Sequence, residues 1–328
     1  MKPNIFNYAT SELSQDAFFC WLLEWANSIY DGEKMNRISI KFINFIFEQA
    51  HFEPLNNVEK INIQHQIRIS NNRRIDFYAI INNEYVMLFE DKVFSGEHDD
   101  QLNAYKEYIE KHFLDKKIIS VYLKSDIVFS DERTFVNDNS YLLIDIYTLI
   151  DLLEEIDINE VYNEYVKYLH ERKDNYVSFL TKTVDTWTNE NWFGFIHYLN
   201  SKLDGSKFGK HYKGDDTWWL ILSMKEDNNE CYDMELQINS RDCIIKTSFE
   251  EVDTRNDKLR YKKILIEDLK NFLKNYDVRP TASYGGKNMI VAYIDGYMAI
   301  ENGLINLDKT LENLRDITNK FNQYYDNL

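Results

Sequence analysis

Two apolar runs, FYAII (77–81) and YVMLF (85–89), lie on either side of Asn82, Asn83 and Glu84, and both meet charge at their far ends. Asp76 precedes the first run; Glu90, Asp91 and Lys92 follow the second. Asparagine tolerates the positive φ of tight turns, so the pattern predicts a β-hairpin over 73–81 and 85–93. Side chains alternate faces along a strand, so the register decides which charges meet. A two-residue turn at Asn82-Asn83 would set Asp76 opposite Phe89 and send Glu90 to the other face. A three-residue loop that includes Glu84, or a one-residue bulge, pairs Asp76 with Glu90 and Arg74 with Lys92. Tyr78, Ile80, Val86 and Leu88 then share a face that is apolar near the turn and charged at its open end.

Like charges directly opposite each other destabilise a sheet, and apolar runs are where carboxylates are least expected. A hard divalent cation with oxygen ligands would offset that repulsion. Lys92 projects to the same side as Glu90, where it could orient a water or help remove its proton. A helix over 98–113 follows and carries Gln101 and Tyr105 on one face. Upstream, 11–30 reads as an amphipathic helix capped by Ser11 or Ser14. Glu12 and Asp16 suit its positive end, and Phe18, Trp21, Leu22 and Trp25 form its apolar stripe. Each feature alone has a plainer reading: Glu12 as a helix-start carboxylate, the hairpin as a surface element with a few charges.

Taken together, Ile75-Asp76, Glu90-Asp91-Lys92 and Gln101-Leu-Asn-Ala-Tyr105 resemble the signature of the PD-(D/E)xK nuclease superfamily. That signature is an Asp at the end of one strand, Glu-x-Lys on the next, and often Gln-x-x-x-Tyr on the following helix. Ile75 stands where the motif's Pro would be. The segment 11–25 is similar to the first helix of bacterial members, and the resemblance covers roughly residues 5–150. It implies an α/β fold, a restriction-endonuclease-like mixed sheet flanked by helices. It implies that Glu12, Asp76, Glu90 and the Asp91 backbone carbonyl hold Mg²⁺ or Mn²⁺, that Lys92 positions the water, and that Gln101 orients the lysine or the substrate with Tyr105 in support. On the residues alone, Arg73 or Arg74 would contact a phosphate or form an exposed structural ion pair. The implied activity is phosphodiester hydrolysis in nucleic acid, DNA first, with defence against foreign DNA as a role. The alternatives are a nuclease of RNA and a non-catalytic protein-binding module on the same fold; the complete set of Glu12, Asp76, Glu90, Lys92 and Gln101 speaks against the latter.

The remaining pattern predicts a helix over 38–50 and strands over 61–69, 117–125 and 141–150, the last leading into a helix. Strand 85–93, helix 98–113 and strand 117–124 make a right-handed crossover between parallel neighbours. Ser95 and Gly96 break the chain before that helix, Asp99 and Asp100 enter its first turn, and 151–160 reads as a solvated helix face. From about residue 176 the character changes. An aromatic-rich helix (185–203), several antiparallel strands, a helix over 260–276 and a closing helix predict an α+β C-terminal domain or extension. The expected domains are therefore 1–175 and 176–328. Trp218-Trp219 and Tyr284-Gly285-Gly286-Lys287 stand out there, and ordinary core and turn suffice to explain them.

Only 3 Pro and 10 Gly among 328 residues leave little room for flexible linkers. Cys20, Cys231 and Cys243 have no metal-ligand spacing and suit a reducing compartment. The first residues lack an apolar leader and no run is long enough to span a membrane, so a cytoplasmic protein is expected. The net charge of −17 argues against a generic phosphate binder. It is unevenly placed: the chain carries 14 basic and 18 acidic residues up to Lys124, against 24 and 37 after it. An acidic second half should repel bare duplex and suits a basic protein partner.

Overall fold

The computed structural model describes residues 4–8, 11–70, 73–93, 101–155, 157–210, 218–225, 233–248, 254–282 and 288–327. Ser95, Gly96, Asp99, Asp100, Cys231 and the 284–287 turn lie outside the described residues. The chain divides into two compact units, 1–174 and 175–328.

The first unit opens with helices α1 (Glu12–Glu24) and α2 (Lys34–Gln49). Strands β1 (Ile61–Arg68), β2 (Arg74–Ile81) and β3 (Tyr85–Lys92) follow, then α3 (Gln101–His112) and β4 (Lys117–Lys124). Helix α4 (Ser130–Asp138), β5 (Leu142–Ile144), α5 (Ile146–Leu152) and α6 (Glu160–Val177) complete the order. The sheet runs β1-β2-β3-β4-β5, antiparallel across β1, β2 and β3 and parallel across β3, β4 and β5. This is the mixed, helix-flanked sheet of a restriction-endonuclease-like α/β fold.

The hairpin takes the three-residue loop. Ile81 pairs with Tyr85, Ile80 with Val86 and Phe77 with Phe89, so continuation of the register sets Asp76 opposite Glu90. Asn82 and Asn83 both adopt positive φ, 50° and 53°, a conformation that β-branched residues resist. Asn82 is also tied to the segment before β1. Its Oδ1 accepts the amides of Glu59 and Lys60, and its Nδ2 donates to the Asn57 carbonyl. One face of the sheet packs Val86, Leu88 and Tyr122 against Leu102, Tyr105 and Ile109 of α3 and Val136 of α4. The alternate positions include Phe77 and Phe89, whose rings stack at 4.5 Å.

Four sequence expectations need correction. The strand expected over 141–150 ends at Ile144, because Asp145 accepts the Thr148 amide at 3.0 Å and starts α5 there. Helix α1 stops at Glu24 rather than at 30, where the Trp25 carbonyl accepts a hydrogen bond from Asn36 Nδ2 at 2.9 Å. Ser11 occupies its N-cap position, yet its hydroxyl pairs with that of Ser14 at 3.0 Å instead of capping the backbone. The 151–160 stretch is mostly a connection between α5 and α6, with Asp157 at φ 58°. Helix α4 was not anticipated: its sequence buries only Val136 and so carries no readable apolar stripe.

The second unit contains α7 (Asn189–Lys202), strands β6 (Lys207–Lys210), β7 (Trp218–Lys225), β8 (Met234–Asn239) and β9 (Asp242–Ser248), and α8 (Arg255–Phe272). Strands β10 (Asp277–Pro280) and β11 (Asn288–Asp295), a short β12–β13 pair (Ile300–Glu301, Leu304–Ile305) and α9 (Leu307–Asp326) end it. Its main sheet is antiparallel throughout, in the order β10-β11-β9-β8-β7-β6. Trp218 is buried, while the indole of Trp219 covers its cross-strand partner Gly209, where a Cβ would come within 2.4 Å of the ring. Both tryptophans thus serve packing. Among the described residues no helix is long and apolar enough to cross a membrane.

Candidate active site

Strand β3 ends in three consecutive buried charges: Glu90 and Asp91 are 0% exposed and Lys92 6%. An isolated buried charge costs several kcal/mol, so the sequence can bury all three only by pairing them. Alternation sends Glu90 and Lys92 to the α3 face and Asp91 to the other. On the α3 face, Lys92 Nζ lies 2.5 Å from Glu90 Oε1, and Gln101 Nε2 donates to the same oxygen at 3.0 Å. The Gln101 amide also reaches the Tyr105 hydroxyl at 2.6 Å. That hydroxyl bonds the Arg74 backbone, and burial, followed by the Glu90 charge, pushes its pKa up to about 12. Asp76 Oδ2 accepts the Asp91 backbone N–H at 2.8 Å.

Burial pulls the Lys92 pKa down, but the charges of Glu90, Glu12 and Asp76 outweigh it and hold the ammonium above the ordinary lysine value. Asp76 is raised, first by burial, although Lys92 and the Asp91 amide oppose the rise.

On the other face, Gln15 Nε2 donates to Asp91 Oδ1 and, at 3.3 Å, to the Lys92 carbonyl. Gln15 Oε1 in turn accepts from the Tyr165 hydroxyl at 3.1 Å. Asp16 and Asp91 hydrogen-bond each other through their carboxyls; apart from that contact, Asp16 Oδ1 and Asp91 Oδ2 are buried without a partner. A proton held between the two carboxyls would satisfy both. Burial and then the Asp76 charge push Asp16 up to about 7, and burial and then Asp16 hold Asp91 well above the usual carboxylate range. Asp16 Oδ2 accepts from Gln66 Nε2 at 2.9 Å, and Gln66 Oε1 accepts from Arg74 Nη1 at 3.0 Å. Gln66 has φ 54° in the middle of β1. A non-glycine residue in that region costs about 1–3 kcal/mol and persists only where its surroundings hold it.

A cavity of about 490 Å³ opens here, with a lining of two chemical kinds. Glu12 and Asp16 of α1 and Asp76 of β2 are acidic; Arg68, Arg73 and Arg74, from the neighbouring ends of β1 and β2, are basic. Among the described residues, no three acidic, histidine or cysteine side chains stand close enough to enclose an ion as they are placed. As placed, Glu90 Oε1 is engaged by Lys92 and Gln101, and Asp76 Oδ2 by the Asp91 amide. The donor chemistry nevertheless fits a hard divalent cation. Glu12, Asp76 and Glu90 offer oxygen alone, and the Lys92 ammonium is the positive charge that now balances them.

Of the residues singled out in the sequence, Asp76, Glu90, Asp91, Lys92, Gln101 and Tyr105 form one connected network. Glu12, Arg73 and Arg74 line the adjoining cavity. Sequence reasoning missed Gln15, Gln66 and Arg68, and it read Asp16 only as a helix-start acid. It also missed Lys124, the in-register neighbour of Lys92 on β4, which Glu132 of α4 grips at 2.5 and 2.6 Å. The available signal was a polar Gln15-Asp16 pair ahead of a wholly apolar helix stretch, and Arg68 closing an alternating strand.

A family model described as PD-(D/E)XK nuclease superfamily matches residues 3–181. No curated protein and no solved structure matches the chain significantly. The matched stretch exceeds half of the chain and contains every residue of the network, and the chain therefore belongs to the PD-(D/E)XK nuclease superfamily.

Proposed function

We propose that this protein is a divalent-metal-dependent nuclease acting on DNA, with Mg²⁺ or Mn²⁺ held by Glu12, Asp76, Glu90 and the backbone carbonyl of Asp91. Family membership supports phosphodiester hydrolysis. The observation that carries the assignment of roles is the hairpin register, which sets Asp76 opposite Glu90 with Lys92 two residues on. When bound, the metal polarises the phosphoryl group and lowers the pKa of a water.

The chain's own residues do the rest. Lys92 is kept cationic by its carboxylate neighbours, so it acts as a charge and hydrogen-bond donor rather than as a base. It aims the water and offsets negative charge on the phosphorane. Gln101, held between Glu90 and Tyr105, fixes the direction of the Glu90 carboxylate and through it the lysine. The buried Asp91–Gln15 contact keeps the strand end from fraying, so Glu90 and Lys92 stay in phase. Defence against foreign DNA is the proposed setting, with the acidic residues 125–328 receiving a basic partner or one that brings the DNA.

The test is incubation of the full chain with single- and double-stranded DNA and RNA in Mg²⁺, Mn²⁺ or EDTA. Cleavage of DNA that EDTA abolishes, and that Lys92→Ala and Asp76→Asn each abolish, is expected. Cleavage that persists in both variants would place the chemistry elsewhere. Preferential cleavage of RNA would change the substrate.

A further inference from the structure

The cavity beside the network contains more positive charge than the proposed hydrolysis uses. Arg68 and Arg74 are cross-strand partners at the ends of β1 and β2, and Arg73 precedes Arg74. Like charges directly opposite each other work against a hairpin, so three guanidinium groups at one hairpin end suit an anion there. Arg74 is exposed, and among the described residues no carboxylate lies within ion-pair distance of it. One of its five donors is used on the neutral amide of Gln66. That amide bonds Asp16 with its other end, from a residue held at φ 54°. A strained residue whose side chain bridges the acids and the arginines is the mark of a built site rather than of a loose surface.

Resting on the nuclease reading above, we infer that Arg68, Arg73 and Arg74 bind the phosphodiester backbone of the substrate strand in this cavity, and that Gln66 is the residue that positions Arg74 for it. Planar guanidinium forks match phosphate oxygens in pairs, and contacts to phosphate fix register without reading bases. The subsite is therefore indifferent to sequence. It also accounts for how a chain of net charge −17 engages a polyanion: the positive charge is concentrated where the strand must lie. DNA and RNA share this chemistry.

The test uses the full chain and fluorescein-labelled oligonucleotides of single-stranded DNA, duplex DNA and single-stranded RNA. Anisotropy in EDTA is followed over a KCl series. Each phosphate contact on duplex contributes about −0.9 to the slope of log K against log salt. The double variant R73A/R74A should therefore bind duplex with a slope shallower by about 1.8, and in the presence of metal it should raise KM with little change in kcat. Q66G relieves the strained backbone, since glycine adopts positive φ freely, and so keeps or raises Tm while also raising KM; a purely structural Gln66 would leave KM alone. Which oligonucleotide loses most identifies the natural strand. An unchanged slope, or a wild type that binds none of the three at low salt, overturns the inference. If the wild type binds but cleaves nothing with any metal, the hydrolytic reading fails and the subsite stands. If it cleaves with a KM that R73A/R74A leaves alone, the reverse holds.

Discussion

The two units bury different things. Among the described residues, the first takes Asp16, Glu90, Asp91, Lys92, Lys124, Asp126 and Asp145 out of water, whereas Lys262 is the one buried charged residue of the second. Lys262 gives its ammonium to the Thr281 carbonyl and hydroxyl, and burial lowers its pKa. The second unit's ion pairs, such as Arg279–Asp295, are substantially exposed and worth little. Its sheet is filled by Leu220, Leu236, Ile238, Ile244 and Ile245. A fold that needs only stability has no reason to bury seven charges, because well-packed apolar residues serve as well or better. The contrast accords with the nuclease site proposed in the first unit.

The comparison breaks or sharpens under mutation. The largest effect is expected from Lys92→Ala and Asp76→Asn, each lowering kcat at least about a hundredfold, the low end for a group handling protons or charge in the transition state. Circular dichroism should show both variants folded. Next, Gln15→Ala strips a donor from buried Asp91, a loss of about 1–3 kcal/mol; Tm should fall by several degrees and kcat with it, although Gln15 touches no substrate. A normal kcat in the folded variant would detach Gln15 from the site.

A smaller effect concerns pH. The folded-state pKa of Asp16 is raised to about 7, above its unfolded value near 4. Its contribution to stability is thus complete below about pH 4 and is lost as pH rises through 7. By calorimetry without metal, Asp16→Asn should gain Tm over the wild type at pH 8 and gain little at pH 5. An equal difference at both would mean that the acid pair does not share a proton. The smallest effect is expected in the second unit. Lys262→Met should change Tm by a few degrees at most and leave cleavage unaltered; loss of cleavage in a folded variant would end the division of labour drawn here.

The hairpin was legible because its information is local: two asparagines, two apolar runs and the alternation rule narrow the pairing to registers that differ by one residue, and the structure selects the three-residue loop. The parallel β3–β4 pairing followed from an intervening helix of the right length. What escaped the sequence depends on distant partners. Gln66 looks like any polar residue of an alternating strand, and neither its positive φ nor its two-sided bond can be read without Asp16 and Arg74 in place. Gln15 reaches Asp91 across 76 positions. Helix α4 buries only Val136 and is tied through Glu132 to Lys124 and through Arg133 to Asp145 rather than by an apolar stripe, so periodicity could not find it.

The Asn82–Glu84 turn has a consequence for how such a protein can change. Because strand faces alternate, the meeting of Asp76 with Glu90 is stored as a chain length, three residues, at the opposite end of the hairpin from the carboxylates. Many side-chain replacements in the turn would leave that meeting intact. Removing a single residue there would carry Glu90 and Lys92 to the far face while altering no residue of the site itself. Engineers seeking an inactive yet chemically complete variant, or readers comparing relatives with gaps, should therefore look to the turn before the motif.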